Sequence, residues 1–415
     1  MKKILKVLAI VAIVAIIGFT FACSGGGDDG GGTGGGGGGG TPGGGDNGGE
    51  TPGGGGGNNH VHQFGSVWVK NATQHWHECS CGEKKDIADH TWGEVVVTTP
   101  ATYTTKGLGT VTCTPCEHNE TRTISEIPVI FTAVADSTFG TRNIWEITYG
   151  NGKFVAGSSN GKMATSPDGT TWTAVTDSTF YNSSIYAIAY ENGKFVAGGR
   201  DGKMATSTDG VTWTAVADST FGTSQIWTIA FVNGKFVAGG EGGKMANSTD
   251  GTTWTAVANS TFGIISIEAI AYGNGKFVAG GVDGKMATST DGTTWIAVAN
   301  STFGTSQIST IAYANGKFVA GGDDGKMAVS TDGTTWTAVS NSTFGTSYIY
   351  IIAYANGKFV AGGTQGKMAV STDGETWTAV ADSTLGSAPI NAIAYGNGKF
   401  VVVGYYGRMA YWEDN

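Results

Sequence analysis

The chain has 415 residues, of which 71 are glycine and only 14% are charged. Its formal net charge of −9 disfavours contact with the phosphate backbone of nucleic acids, so we expect no nucleic-acid partner. The glycines are concentrated in one segment, and this uneven composition divides the chain into parts of different character.

A basic and then apolar segment begins the sequence. Lys2 and Lys3 precede an almost unbroken apolar run that ends at Cys23. The pattern is typical of a secretory signal peptide. It resembles a bacterial lipoprotein signal, which implies cleavage after residue 22 and lipidation of Cys23, although Thr20 stands where the usual lipobox has leucine. An uncleaved membrane helix is the alternative, and either structure would attach an exported chain to the bacterial cell envelope, at the outer membrane or cell surface.

Residues 23–59 follow as a segment made almost entirely of glycine, with a few Thr-Pro and Asp residues. Such a composition offers no apolar side chains to bury, so the segment is predicted to be a disordered tether. A flexible chain of this length has an average reach on the order of 30 Å. It would hold a domain clear of the lipid headgroups without fixing its orientation.

A small Cys/His-rich module is predicted over residues 60–128, which contain all six histidines. Two close cysteine pairs, Cys79/Cys81 and Cys113/Cys116, are the candidate metal ligands. Four thiolates suit one tetrahedral structural zinc ion, which would stabilise a segment with little apolar content. Two disulfides between the pairs are the alternative for an exported chain. Because a Cys-x-Cys pair bonded to itself would be strained, both interpretations join the two halves of the module.

The same segment carries a resemblance. The stretch from His75 to Gly82, then His90-Thr91-Trp92 and the stretch from Val111 to Cys116, resemble Cys-x-x-Cys modules found beside binding domains in bacterial surface proteins. We expect a structural role for the zinc, because a catalytic zinc would keep an open coordination position near a general base, and the sequence singles out no such base.

The rest of the chain is a repeat. Asn-Gly-Lys-Phe recurs with a constant spacing of 41 residues, beginning at residues 151, 192, 233, 274, 315, 356 and 397. Each repeat contains four short strand patterns joined by glycine-containing turns. A single sheet of this size cannot bury both faces, so such repeats stack, and four strands per repeat of this length predict the blades of a β-propeller. The fold class is therefore all-β, with a seven-bladed propeller over residues 129–415.

The seventh repeat lacks its outermost strand, and the start of the propeller supplies it. Residues 129–134 match the fourth strand of the other repeats and are followed by the same linker, beginning at Asp136. We therefore expect this N-terminal strand to complete the last blade. Closure of this kind protects strand edges that would otherwise invite aggregation. We expect the protein to be a monomer.

The turn after the third strand carries a second resemblance. The stretch from Ser207 to Trp213, with its copies, resembles the Asp-box of sialidase-like (BNR-repeat) propellers, with one residue fewer before the glycine. The seven-blade count is closer to non-enzymatic photosystem-assembly propellers than to six-bladed sialidases. Since the motif recurs in every blade, a folding role is expected: the Asp side chain would accept hydrogen bonds within its own turn, and the Trp would pack between blades.

The repeats differ mainly on one face of the predicted ring. The residue after the first Ile of each first strand is variable, as is the turn between the second and third strands, and these two regions should meet at the mouth of the channel. From these regions and the adjoining linker we select the candidate ligand-binding residues Trp145, Tyr186, Trp227, Glu268, Tyr350, Asn391, Arg142, Arg200, Asp201, Tyr405 and Tyr406. Drift at unconstrained positions is the alternative, but it would favour small polar residues rather than Trp and Tyr, which are typical anchors of binding sites. A basic residue opens each third strand, Lys162 in the first blade and Arg408 in the last. This ring of basic residues could attract anionic glycans; the alternative is that they are solvated edge residues whose charge adjacent acids offset.

Three functions fit these features. The first is a surface-anchored propeller that binds a glycan or a protein ligand at the channel mouth. The second is a sialidase-like glycoside hydrolase, which requires an arginine cluster and a pair of acidic residues, whereas the chain has only four arginines. The third is a non-catalytic scaffold for envelope assembly. No cofactor other than the zinc is expected.

Overall fold

The computed structural model describes residues 61–103, 105–232 and 234–414. The predicted signal peptide, the lipidation site Cys23 and the glycine-rich tether lie outside the described residues. The described Cys/His-rich module and propeller belong to one compact unit, His62–Asn415. Within the described part of the chain, no helix is long and apolar enough to span a membrane.

The module contains two antiparallel three-stranded sheets. The strands of the first sheet are β1 (Val69–Lys70), β2 (Gln74–Glu78) and β3 (Lys84–Asp89). Those of the second are β4 (Val96–Thr99), β5 (Gly107–Thr112) and β6 (Asn119–Ile124). Few apolar side chains of the module are buried; apart from the cysteines, the main ones are Trp76 and Val111.

Seven four-stranded antiparallel sheets follow in the described residues, as predicted. The closing strand β7 (Thr132–Ala133) precedes blade 1, with β8 (Ile144–Gly150), β9 (Lys153–Ser158), β10 (Met163–Ser166) and β11 (Thr173–Ala174). Blade 2 has β12 (Ile185–Glu191), β13 (Lys194–Gly199), β14 (Met204–Ser207) and β15 (Thr214–Ala215), and blade 3 has β16 (Ile226–Val232), β17 (Lys235–Gly240), β18 (Met245–Ser248) and β19 (Thr255–Ala256). Blade 4 has β20 (Ile267–Gly273), β21 (Lys276–Gly281), β22 (Met286–Ser289) and β23 (Ile296–Ala297), and blade 5 has β24 (Ile308–Ala314), β25 (Lys317–Gly322), β26 (Met327–Ser330) and β27 (Thr337–Ala338). Blade 6 has β28 (Ile349–Ala355), β29 (Lys358–Gly363), β30 (Met368–Ser371) and β31 (Thr378–Ala379), and blade 7 has β32 (Ile390–Gly396), β33 (Lys399–Gly404) and β34 (Met409–Glu413).

One short 3₁₀ turn joins the second and third strands of each blade. These turns are Ser159–Gly161, Arg200–Gly202, Glu241–Gly243, Val282–Gly284, Asp323–Gly325, Thr364–Gly366 and Tyr405–Gly407.

The ring closes through the strand that precedes the first blade. Strand β7 pairs antiparallel with β34, with Ala133 opposite Ala410 and Thr132 opposite Tyr411. Blade 7 also contacts blade 1, since the side-chain amide of Asn391 donates to the carbonyl oxygen of Ile144 at 2.7 Å. The N-terminal strand therefore completes the sheet of the seventh repeat, as predicted.

The hydrophobic core lies between neighbouring blades. Phe154 and Val155 alternate along β9, and both are fully buried. Phe154 packs in one cluster with Val401 of blade 7, whereas Val155 packs in another with Phe195 of blade 2. Successive strand residues point to opposite faces, so this alternation buries both faces of every sheet. The close approach of blades requires glycine at Gly198, where an added Cβ would lie 2.8 Å from the Cγ2 of Ile226 in the next blade.

The turn between the third and fourth strands is held by its own aspartate. In blade 2, Oδ1 of Asp209 accepts hydrogen bonds from the backbone N–H groups of Val211 and Thr212, at 2.8 and 2.7 Å. These bonds hold the pKa of Asp209 below its usual range. Gly210 has a φ of +74°, and its carbonyl accepts from the indole of Trp213 at 3.1 Å. The carboxylate of Asp209 therefore stabilises its own turn by accepting these hydrogen bonds.

In blade 7 the aspartate and the tryptophan make contacts that differ from those of this turn. Asp414 occupies the position of these aspartates but forms a buried ion pair with Lys358 of blade 6 at 2.6 Å. The side chain of Asn356 also donates to Asp414. Trp412 stacks on Phe400 with ring centroids 5.2 Å apart. In the other blades, the tryptophan that precedes the fourth strand contacts the corresponding phenylalanine, as Trp377 contacts Phe359 in blade 6. One tryptophan therefore supplies the packing that the truncated turn lacks.

Candidate ligand-binding site

The variable turns and the linkers between blades meet on one face of the ring. The backbone N–H of Arg200, in the turn of blade 2, donates to the carbonyl of Ser184 in the preceding linker at 2.9 Å. In blade 1, the indole of Trp145 donates to the hydroxyl of Ser159 at 3.0 Å, which joins the first strand to the turn. The sequence predicted this convergence from strand directions alone.

Each variable first-strand residue sits at a β-bulge. In blade 2, Ile185 pairs with Gly199 and Ala187 pairs with Gly198, so Tyr186 has no partner between them. The same register shift occurs at Trp145, Trp227, Glu268, Ser309, Tyr350 and Asn391. A bulged residue lies outside the regular ladder, and bulges often redirect a side chain beside a functional site. The regular ladder therefore places no pairing requirement on the residue at this position.

These side chains line one cavity of about 460 Å³ at the channel mouth. The cavity brings together all seven bulged residues and one turn residue: Trp145, Tyr186, Trp227, Glu268, Ser309, Tyr350, Asn391 and Tyr405. A cavity of this size fits a small ligand or one or two sugar rings of a longer one.

Four rings form a continuous aromatic crescent, made of Tyr405, Trp145, Tyr186 and Trp227. Successive ring centroids along the crescent are 5.5, 5.8 and 4.5 Å apart. All four side chains keep part of their surface exposed. The crescent therefore presents a rigid apolar surface that is only partly covered by protein, as a binding platform requires.

Carboxyl groups line the same cavity. Burial raises the pKa of Glu146 to about 8, although its Oε1 accepts a hydrogen bond from the N–H of Ile147 at 2.9 Å. Burial, and secondly the nearby Asp323, raise the pKa of Glu268 to about 7. Both carboxyls therefore carry a proton for part of the time near neutral pH, and each acts as donor or acceptor depending on its state.

The raised pKa of Glu146 predicts a pH dependence of stability. The folded-state pKa lies above the unfolded value of 4.5, so the unfolded chain loses its proton first as pH rises. Stability should therefore fall as pH rises from about 4.5 to about 8. The Glu146→Gln variant should match the wild type near pH 5 and exceed it near pH 9, by on the order of 2 kcal/mol because the side chain keeps some solvent exposure. Urea unfolding at the two pH values measures this, and an equal difference at both would contradict it.

Four predicted residues do not line the cavity: Arg142, Arg200, Asp201 and Tyr406. The side chain of Arg200 is 62% exposed and lies 3.9 Å from Asp201, its neighbour in the turn. Tyr406 takes the left-handed second position of its turn, with φ of +61°, and is 61% exposed, whereas Tyr405 before it faces the crescent. From the sequence alone, Tyr405 and Tyr406 were both predicted to bind the ligand, although only Tyr405 lines the cavity.

The basic residues that open the third strands bond to the backbone of the linkers. Lys244 donates to the carbonyl of Phe221 at 2.7 Å, and Lys203 and Lys285 make the equivalent bond to Phe180 and Phe262. Arg408 donates to the carbonyl of Leu385. These hydrogen bonds join the start of a third strand to the linker that precedes its blade, so the basic residues stabilise the junctions between blades.

Glu146 and Gln307 line the cavity but were missed from the sequence. Glu146 follows the bulged Trp145, at a position where the other blades have small or apolar residues such as Ala187 and Ile351. A charged residue found in one blade alone was the available signal. Gln307 precedes the first strand of blade 5 and had no distinguishing signal.

The structure does not bring together the four cysteines of the predicted ligand set, Cys79, Cys81, Cys113 and Cys116. Cys79 and Cys81 form a disulfide with each other, near His62, whereas the buried Cys113 and Cys116 are free and lie beside His75 and His90. The reason is strand geometry. His75 and Cys79 are four residues apart along β2 and its end, a separation of roughly 13 Å, so only one of them reaches Cys113.

Part of the propeller sequence matches a known protein family. Residues 267–397 match the family described as the DUF6242 beta propeller domain. No curated protein matches the chain.

Solved structures share the fold at low identity. YCF48 bound to D1 peptide has a TM-score of 0.57 and 16% identity, over 70% of this chain and 97% of that one. YCF48 from Cyanidioschyzon merolae has a TM-score of 0.55 and 17% identity, over 68% and 98%. The WD40 β-propeller domain of Doa1 has a TM-score of 0.55 and 14% identity, over 69% and 98%. The chain thus carries a β-propeller, an architecture suited to ligand binding or to a scaffold role.

Proposed function

We propose that the propeller binds a neutral saccharide segment at the channel mouth. The observation that carries the proposal is the aromatic crescent, which faces a cavity lined by Glu268 and Glu146. Sugar rings stack on aromatic faces through their C–H groups, and carboxyl groups hydrogen-bond their hydroxyls. No Lys or Arg lines this cavity in the described residues, so an anionic sugar such as a sialic acid would lack a cationic partner.

The proposal includes the site of action. A lipid on Cys23 and a glycine-rich tether over residues 23–59 would hold the propeller at the bacterial cell envelope. A glycan or a protein carried by the surface, or by a neighbouring cell, would then be within reach.

Glycoside hydrolysis is a second candidate, favoured by one observation. Glu146 and Glu268 line one cavity, and both have raised pKa values. Glycosidases use two carboxyl groups, one of them protonated. Turnover of a retained glycan, abolished by Glu268→Gln, would favour this candidate over binding alone.

A scaffold that captures a peptide is a third candidate. YCF48, whose fold resembles this one, binds a D1 peptide. Co-purification of an envelope protein complex from native cells, lost when the crescent is altered, would favour this candidate over saccharide binding.

A glycan array probed with the purified full chain tests the proposal. We expect retention of neutral oligosaccharides, no preference for sialylated ones, and recovery of the retained glycan unchanged. Absence of any retained glycan, or a strict requirement for an anionic group, would contradict saccharide binding of this kind.

A further inference from the structure

Four buried side chains of the module converge on one point. His75, His90, Cys113 and Cys116 are 3%, 9%, 0% and 6% exposed. One donor atom from each lies within 4.8 Å of those from the others, and both thiols are free. We refer to these four residues as the His/Cys cluster.

The distances within the cluster fit a metal ion. Nδ1 of His90 lies 3.3 Å from Sγ of Cys116, and Nδ1 of His75 lies 3.8 Å from Sγ of Cys113. Tetrahedral zinc, with Zn–S of about 2.3 Å and Zn–N of about 2.0 Å, places neighbouring N and S ligand atoms about 3.5 Å apart. The observed separations bracket this value.

A hydrogen bond outside the cluster orients one ligand. Nε2 of His90 lies 2.9 Å from the carbonyl oxygen of Asn71, which can only accept, so Nε2 carries the proton. In the neutral imidazole, Nδ1 of His90 then carries no proton and directs its lone pair toward the thiols. Metal-bound histidines characteristically donate their other N–H to a carbonyl or carboxylate in this way. Asn71 is itself held in place, since its side chain accepts from the N–H groups of Thr73 and Gln74.

The four ligands come from separate parts of the module. His75 lies on β2 and His90 directly after β3, whereas Cys113 follows β5 and Cys116 precedes β6. A bound ion would therefore join the two three-stranded sheets, which share few buried apolar side chains. Small domains with a weak core commonly obtain their folding free energy from such an ion.

We propose that the His/Cys cluster binds one structural Zn²⁺ through two thiolates and two imidazoles. Four protein ligands leave no open coordination position, and an S₂N₂ tetrahedron favours zinc over hard cations. The disulfide-bonded Cys79 and Cys81 take no part. A Cys113–Cys116 disulfide, the competing arrangement, would leave both buried imidazoles facing sulfurs that no longer bind a metal.

Metal analysis of the purified full chain tests the proposal. We expect about one zinc per chain. The Cys113→Ser and His90→Gln variants should lose it, whereas the Cys79→Ser/Cys81→Ser double variant should retain it. Loss of zinc in the double variant as large as in Cys113→Ser would overturn the assignment.

Cobalt substitution of the wild-type chain keeps the test independent of whether a variant folds. After zinc is replaced by Co²⁺, the visible spectrum should show tetrahedral coordination, with a charge-transfer band as strong as two thiolates give. A band of four-thiolate strength, failure to bind Co²⁺, or a Cys113–Cys116 disulfide found by peptide mapping of the native chain would each refute the site.

Discussion

Replacing Lys358 by alanine should lower the free energy of unfolding by about 3 kcal/mol. The Lys358 and Asp414 side chains are only 9% and 1% exposed, and they form an ion pair at 2.6 Å. Removing the lysine leaves a buried carboxylate whose other partners are the side chain of Asn356 and the hydroxyl of Tyr103. Chemical denaturation of the full chain, followed by tryptophan fluorescence, measures the loss.

Lys317 supplies the matched control. It holds the same position in blade 5, but its ion-pair partner Glu375 is 57% exposed, and it also donates to the carbonyl of Asp373. Solvent screens such a pair, so Lys317→Ala should cost no more than about 1 kcal/mol. Equal losses in the two variants would mean that the end of the chain is not held by a buried ion pair.

Removing two rings of the crescent should abolish ligand binding. In the Tyr186→Ala/Trp227→Ala variant we expect the affinity for a retained glycan to fall about 100-fold, equivalent to about 2.7 kcal/mol. The two rings are in contact, with centroids 4.5 Å apart, so the variant loses both the platform and its rigidity. Isothermal titration with a glycan selected on the array measures the change.

Stability should change much less than affinity in that variant. Both side chains are half-buried at bulges and lie outside the cores between blades, so the free energy of unfolding should fall by only about 1 kcal/mol. Tyr181→Ala is the control, because Tyr181 is 73% exposed and does not line the cavity. Unfolding of the double variant, or an equal loss of affinity in the control, would remove the crescent from the binding site.

The propeller could be predicted from the sequence because its blades repeat with a constant period. A constant 41-residue spacing fixes the blade, and residues 129–134 match the strand that the last repeat lacks. Strand direction then places the variable turns and the linkers on the same face. Each of these inferences uses local patterns repeated in every blade, so the errors of a single segment are averaged out.

The details of the site were less predictable because they depend on single blades. Glu146 is the one charged residue among the seven equivalent positions of the blades. Its raised pKa depends on burial, which no local sequence pattern reports. Trp412 occupies the position of a serine in the other blades, and only the three-dimensional packing shows that it replaces the missing tryptophan. In the module, spacing suggested that all four cysteines come together, whereas strand geometry places two histidines beside Cys113 and Cys116 and leaves Cys79 and Cys81 bonded to each other near His62.

A hydrogen-exchange footprint of the bound glycan tests the central claim most directly. We expect protection at the start of the first strands, around residues 144–147, 185–188 and 226–229, and none in the turns on the opposite face, such as residues 208–212. Protection confined to that opposite face or to the module would contradict a ligand site at the channel mouth.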